Sequence, residues 1–279
     1  MKNEFPVLEI TKQAGKQVLA FPKGIAITVA FYVLTIVLMV GVVFGALNGD
    51  FSFLEKMQAG DVENLSNPIR DGWGWIIFFS LILVMVGYSW LFNFWIRFGA
   101  LGKDGAFMPT FGSSLSAAGV TAVKLFFITL LLLIVAMVVL LMLTAFGVVS
   151  LDEVEPSLSG ALITNLVLLG AISSIYSVFS SNLTQTALGS DKEEVGPPQV
   201  FEFGVVLFVL NILVMVPLVF LQLFTHEYVA SAYNLLGTLW LTAAIPLAHG
   251  IRYDWQRQTF VGESAAEQFK VSDESDDDQ

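Results

Sequence analysis

Two rows of polar residues stand inside otherwise apolar stretches, and they are where this chain could do chemistry. Ser89, Asn93 and Arg97 follow one another at i, i+4 and i+8, a spacing that puts all three on one face of a helix. Asn165, Ser173, Ser177 and Thr184 share a face of a second helix, with Tyr176, Ser180 and Gln185 close by. Hydroxyls, amides and one guanidinium in apolar surroundings can line a cavity for a small polar molecule or a lipid headgroup, because polar groups in hydrocarbon are costly unless something meets them. They can equally bond helix to helix, each contact contributing about 0.6 kcal/mol and at most ~2 kcal/mol. One observable separates the two readings. A conduit requires Asn93, Arg97, Ser177 and Thr184 to line one continuous polar space, whereas helix contacts require them to be packed against neighbours.

Other chemistries find no residues. There is no cysteine, which removes disulfides, thiolate nucleophiles and cysteine-ligated metals. The two histidines, His226 and His249, are separated by ~35 Å if helix lies between them, so they cannot share a metal or a haem. His226-Glu227 lacks the second histidine of a metalloprotease helix. No glycine-rich phosphate loop occurs, and the carboxylates fall in connecting segments instead of converging as an acid–base pair. The expectation is no catalytic residue, no metal, no cofactor and no enzymatic activity. A net charge of −11 also argues against nucleic acid as a partner, since phosphate backbones need a basic face.

The elements that must position the polar rows are dictated by composition. Hydrophobic residues make up 56% of the 279 and charged ones 13%, against roughly 25% charged in a soluble domain. Leu125–Val149 contains no ionisable side chain, and about 20 apolar residues suffice to cross a ~30 Å hydrocarbon layer. Comparable stretches at 24–46, 73–98, 115–149, 158–186, 203–224 and 228–250 predict an all-α polytopic membrane protein, a bundle of six transmembrane helices within a 24–250 domain. Lys124, in the first third of the third span, is expected to snorkel to the headgroups. Pro217 and Pro246 could kink the last two spans. Ahead of the spans, in segment 1–23, Val7, Ile10, Ala14, Val18 and Phe21 recur at helical spacing with Lys12 and Lys16 on the other side. This predicts an amphipathic helix at the membrane surface. Segment 251–279 opens on Arg252 and Arg257 as an exit collar and ends in an acidic run, which predicts a disordered tail from Gly262. Asn64-Leu65-Ser66, in the loop at 47–72, fits a glycosylation acceptor.

An even number of spans sorts the basic residues sharply. One side receives Lys2, Lys12, Lys16, Lys23, Arg97, Lys103, Lys124, Lys192, Arg252, Arg257 and Lys270, and the other only Lys56 and Arg70. That bias predicts both termini in the cytoplasm. The exits of the second and fourth spans also match: Ala100-Leu101-Gly102-Lys103-Asp104 against Ala187-Leu188-Gly189-Ser190-Asp191, with Phe92 against Phe179. The match suggests a parallel duplication, read as two pseudo-equivalent three-helix halves. Phe94-Trp95-Ile96-Arg97-Phe98 followed by Leu101-Gly102 resembles a loosely defined group of six-span bacterial inner-membrane proteins, a likeness that implies that membrane as the location and carries no activity with it. The functional expectation is a non-enzymatic accessory subunit, scaffold or assembly factor whose partners are membrane lipids and other membrane subunits. The alternative is a channel or transporter for a small polar or lipid-like substrate.

Overall fold

The computed structural model describes residues 5–47, 71–108, 110–147, 158–189 and 199–276, with backbone alone at 158, 159, 161, 223 and from 260 onward. Residues 48–70, 148–157 and 190–198, which hold most of the predicted loops and the glycosylation triplet, lie outside the described residues. The described chain is helical throughout: α1 (Val7–Leu19), α2 (Pro22–Ala46), α3 (Trp73–Gly105), α4 (Phe111–Ala145), α5 (Leu158–Phe179), α6 (Leu183–Leu188), α7 (Val200–Phe224) and α8 (Glu227–Asp276). Six of them, α2 to α5, α7 and α8, are long and apolar enough to cross a membrane. The protein is an all-α polytopic membrane bundle.

Local sequence sets the boundaries. Phe21 leaves the helical region (φ −121°, ψ 73°) because the residue before a proline is sterically pushed out of it, and Pro22 then occupies the first turn of α2, where its missing N–H costs nothing. Thr110 caps α4, its Oγ1 accepting the Ser113 amide at 3.2 Å. Gly102 and Gly189 take φ of +75° and +67°, a region that residues with a Cβ avoid. They interrupt α3 near its end and stop α6.

These two glycines are the equivalent positions of the Ala-Leu-Gly match and both take positive φ, but their ψ values differ, −168° at Gly102 against 40° at Gly189. The match steps from the second span to the fourth, two helices on, so the shared unit is a helix and its exit. Halves of three helices would place spans one and four, not two and four, in correspondence. The predicted fourth span is also divided. Its helix stops at Phe179, turns through Ser180–Asn182 and resumes as the six-residue α6. Pro217 and Pro246 sit inside continuous helices. Beyond Gly262 the backbone is helical to Asp276. Ala265, Ala266, Glu267 and Gln268 are strong helix formers, and extending an existing helix avoids the cost of nucleation.

The tight core lies toward the side that holds α1 and the α3 exit, here the terminal side. In α8 more than half of the most apolar stretch is buried (56%), against 6% in α4. The α8 residues Ala243, Ala244, Leu247 and Ala248 pack with Leu91, Phe94 and Trp95 of α3, with Phe203, Val206 and Leu210 of α7, and with Ile10, Ala14 and Val18 of α1. The apolar stripe of α1 is therefore turned into the bundle instead of resting on lipid. Trp95 is fully buried and donates from Nε1 to Thr28 Oγ1 at 3.0 Å, its ring lying over the backbone of Gly24. Phe21 closes the layer by stacking on Phe98, centroids 4.4 Å apart. Toward the far side the spans turn long apolar side chains outward, Leu34, Val37, Phe79, Leu83, Met137 and Leu141 among them.

Candidate functional site

The members of the first polar row are buried: Ser89, Asn93 and Arg97 all lie on the inward face of α3. Ser89 donates to the Met85 carbonyl within its own helix at 2.8 Å. Asn93 Oδ1 accepts from Thr121 of α4 at 2.9 Å, while its Nδ2 has no partner among the described residues. Arg97 donates from Nη1 to the carbonyls of Ala187 and Leu188, each at 3.4 Å, and from Nη2 to that of Phe107 at 3.3 Å. The first two are end-of-helix carbonyls of α6, which no amide within the helix can satisfy, and a cation at that end is favoured. Arg97 thus ties the fourth-span exit and the α3–α4 connection to α3. Lys124 joins the same end. Its Nζ donates to Thr186 Oγ1 at 2.6 Å, so the lysine expected to snorkel outward is held inward by a hydroxyl that the break in the fourth span brings within reach.

The second row is divided by the turn at Ser180–Asn182. Ser173 and Ser177 remain buried on α5, Asn165 is half-buried above them, and Thr184 is carried onto α6. Ser177 donates to the Ser174 carbonyl at 2.8 Å and sits against Gly204 of α7, where a Cβ would lie 3.1 Å from its hydroxyl. Thr184 Oγ1 and Ser180 Oγ are buried without partners among the described residues. Asn93, Arg97, Ser177 and Thr184 are all buried, Asn93 against Thr121 of α4, Arg97 against the end of α6 and Ser177 against Gly204 of α7.

Two of the predicted residues do face a cavity. Ser89 and Ser173 lie on the wall of a cleft of about 470 Å³ enclosed by α3, α4, α5, α7 and α8. Its other polar groups are the hydroxyls of Tyr88, Tyr176, Thr129, Thr238 and Thr242 and the amide of Asn211, the remainder is apolar, and no charged side chain lines it. Thr242 is held by Tyr32 at 2.7 Å, and Asn211 Nδ2 is held by the Leu207 carbonyl at 2.8 Å. The volume falls within the range of small-molecule sites.

The floor of the cleft was not foreseen. Phe92 and Tyr176 face the cleft and also flank His249, with ring centroids 6.0 and 5.8 Å away, and Phe203 closes on the same imidazole at 4.5 Å. The guanidinium of Arg252 lies over the Phe203 ring, 4.2 Å from its centroid, a cation–π arrangement. Arg252 is almost fully buried, not part of an exposed exit collar. The available signal was the spacing of Ala244, Ala248, His249 and Arg252, which puts small residues and two polar ones on adjoining strips of a helix that continues past Gly250.

Among the described residues, no group of three histidines, aspartates and glutamates is placed to hold a metal ion. The arrangement offers hydrogen-bonding groups and apolar surface. Comparison with protein-family models, with curated proteins and with solved structures finds no match to this chain.

Proposed function

We propose that this chain is a non-enzymatic integral membrane protein that works by holding other components of the bilayer, as an accessory subunit, scaffold or assembly factor in a bacterial inner membrane with both termini cytoplasmic. The observation that carries the reading is α4. Its buried residues are Ala117, Ala118, Thr121, Ala122 and Ile128, none of them beyond its midpoint. The second half presents Leu133, Ile134, Met137, Leu141 and Met142 outward, an apolar surface left open to lipid or to a helix of another membrane protein. The packing of Asn93, Arg97, Ser177 and Thr184 supports the same reading, because a conduit for a polar solute would need them free. A photoactivatable residue at Met137 or Leu141, activated in growing cells, is expected to trap one discrete membrane protein. Adducts with lipid alone from both positions would overturn the proposal.

A second reading is favoured by the cleft, whose size and uncharged hydroxyl-bearing wall suit a lipid-like substrate better than a small polar one. If the chain moves such a molecule, Ser173→Trp should block the cleft and abolish transfer while the protein still folds. Unchanged cellular function of that variant would remove this reading.

A further inference from the structure

We infer that the outer flank of α1 and the groove beneath it form a binding site for one anionic phospholipid. With Ile10, Ala14 and Val18 turned into the core, the rest of the helix surface divides into two flanks. Gln13 and Gln17 face a water-accessible hollow together with Asp254 and Arg257. Leu8, Gly15 and Leu19 face the opposite way, over a groove floored by Val209 and Leu213 of α7 and Trp240 of α8. Leu8 and Leu19 are 77% and 70% exposed, which suits side chains surrounded by hydrocarbon and not by water. Lys12 and Lys16 stand on the strip between these flanks, one helical turn apart, at the mouth of the groove.

That order, water flank, two amines, then apolar groove, matches the order of a phospholipid entering the bilayer. A phosphate seated between the lysines would place its acyl chain against the groove. Gly15 lets α1 lie close over Trp240, since a Cβ there would lie 3.3 Å from the indole ring, and so keeps the groove wall free of a side chain at that point. Glu9 neighbours Lys12 on the helix, yet among the described residues neither lysine forms a salt bridge; the one formed is Arg257–Asp254. The amines are thus available to a negative headgroup, and a zwitterionic headgroup would bring its own cation into their field.

The test uses the full chain in nanodiscs of phosphatidylglycerol and phosphatidylcholine, with lipid retained after mild release counted by native mass spectrometry. One phosphatidylglycerol is expected to stay bound in preference to phosphatidylcholine. Each lysine near an anionic surface contributes about a fivefold change in partitioning, so Lys12→Gln with Lys16→Gln should lower the preference on the order of 20-fold. Lys12→Arg with Lys16→Arg should keep it, as should Lys103→Gln, which removes a charge elsewhere. Gly15→Leu should weaken retention with both lysines present. No preference in the unaltered protein, or undiminished preference in the double glutamine variant, would overturn the site. Because the site is remote from α4, a failed cross-link there would leave this result standing.

Discussion

Arg97 shows how a charged side chain can sit at the core of a membrane bundle with backbone carbonyls as its partners. Its partners are carbonyls that α6 and the α3–α4 connection cannot satisfy internally, so the charge answers backbone polarity. Arg97→Leu strands those carbonyls, and each lost charge-assisted bond is worth about 1.5–3 kcal/mol. Unfolding by denaturing detergent should show a loss at the upper end of that range or beyond, with Arg97→Lys intermediate because an ammonium cannot fork to three acceptors. Thr28→Val should cost about 1–3 kcal/mol by leaving the buried Trp95 Nε1–H without its acceptor; the isosteric methyl keeps the packing. The row Ser89, Asn93, Arg97 was legible because side-chain direction follows from spacing alone. The partners were not, since the Arg97 contacts lie 90 and 91 residues away and depend on a break in the fourth span. The Ser180-Ser181-Asn182 run was the local signal for that break, since Ser and Asn favour turns and helix N-caps over helix interiors, but it does not say what the broken end will meet.

At the scale of elements, apolarity does not set burial. The most uniformly apolar span, α4, is the least buried, and the core is built on α8, whose window is the least apolar of the six. Lipid accepts any apolar side chain, so a helix that meets only lipid has no reason to be anything but oily. A helix that meets protein needs small residues and shape. The span count and types could therefore be read from hydropathy, while the packing centre could not. It was written instead in Gly99 and Gly250, where α3 and α8 cross at backbone contact. A Cβ at Gly99 would lie 2.5 Å from the Leu247 carbonyl oxygen, and one at Gly250 would overlap the Ile96 carbonyl. Backbone cannot give way as a side-chain tip can, so Gly250→Ala should destabilise by about 3 kcal/mol or more, past the usual range for overpacking. Gly119→Ala, in α4 with nothing within 4 Å, should be neutral or stabilising by up to about 1 kcal/mol. Thermal melting of the two purified variants, read side by side, checks both expectations; equal melting temperatures would refute the crossing.

For the whole molecule, packing and charge point to the same end. The side holding α1, Arg97, Lys124 and Arg252 is where helices touch closely, and toward the other side they present apolar faces outward. The polar groups explain the asymmetry. Burying a guanidinium or an imidazole requires aromatic and backbone partners from several elements at once, and Phe203, Tyr176, Phe92 and the α6 carbonyls supply them only where five spans and α1 converge. If the basic end faces the cytoplasm, as the distribution of lysine and arginine predicts, the closed end faces inward and the splayed end outward. The absence of cysteine makes this directly testable, since any introduced thiol is the only one present. Asp71→Cys, just before α3, should react with a membrane-impermeant maleimide in intact cells. Lys103→Cys, in the last turn of the same helix, should react only after permeabilisation, and so should Asp254→Cys on α8. Labelling of Lys103→Cys in intact cells with Asp71→Cys protected would invert the protein in its membrane. Labelling of Lys103→Cys and Asp254→Cys from opposite sides would instead break the six-span count. The lipid site on α1 would then have to be assigned to the other leaflet in the first case and abandoned in the second.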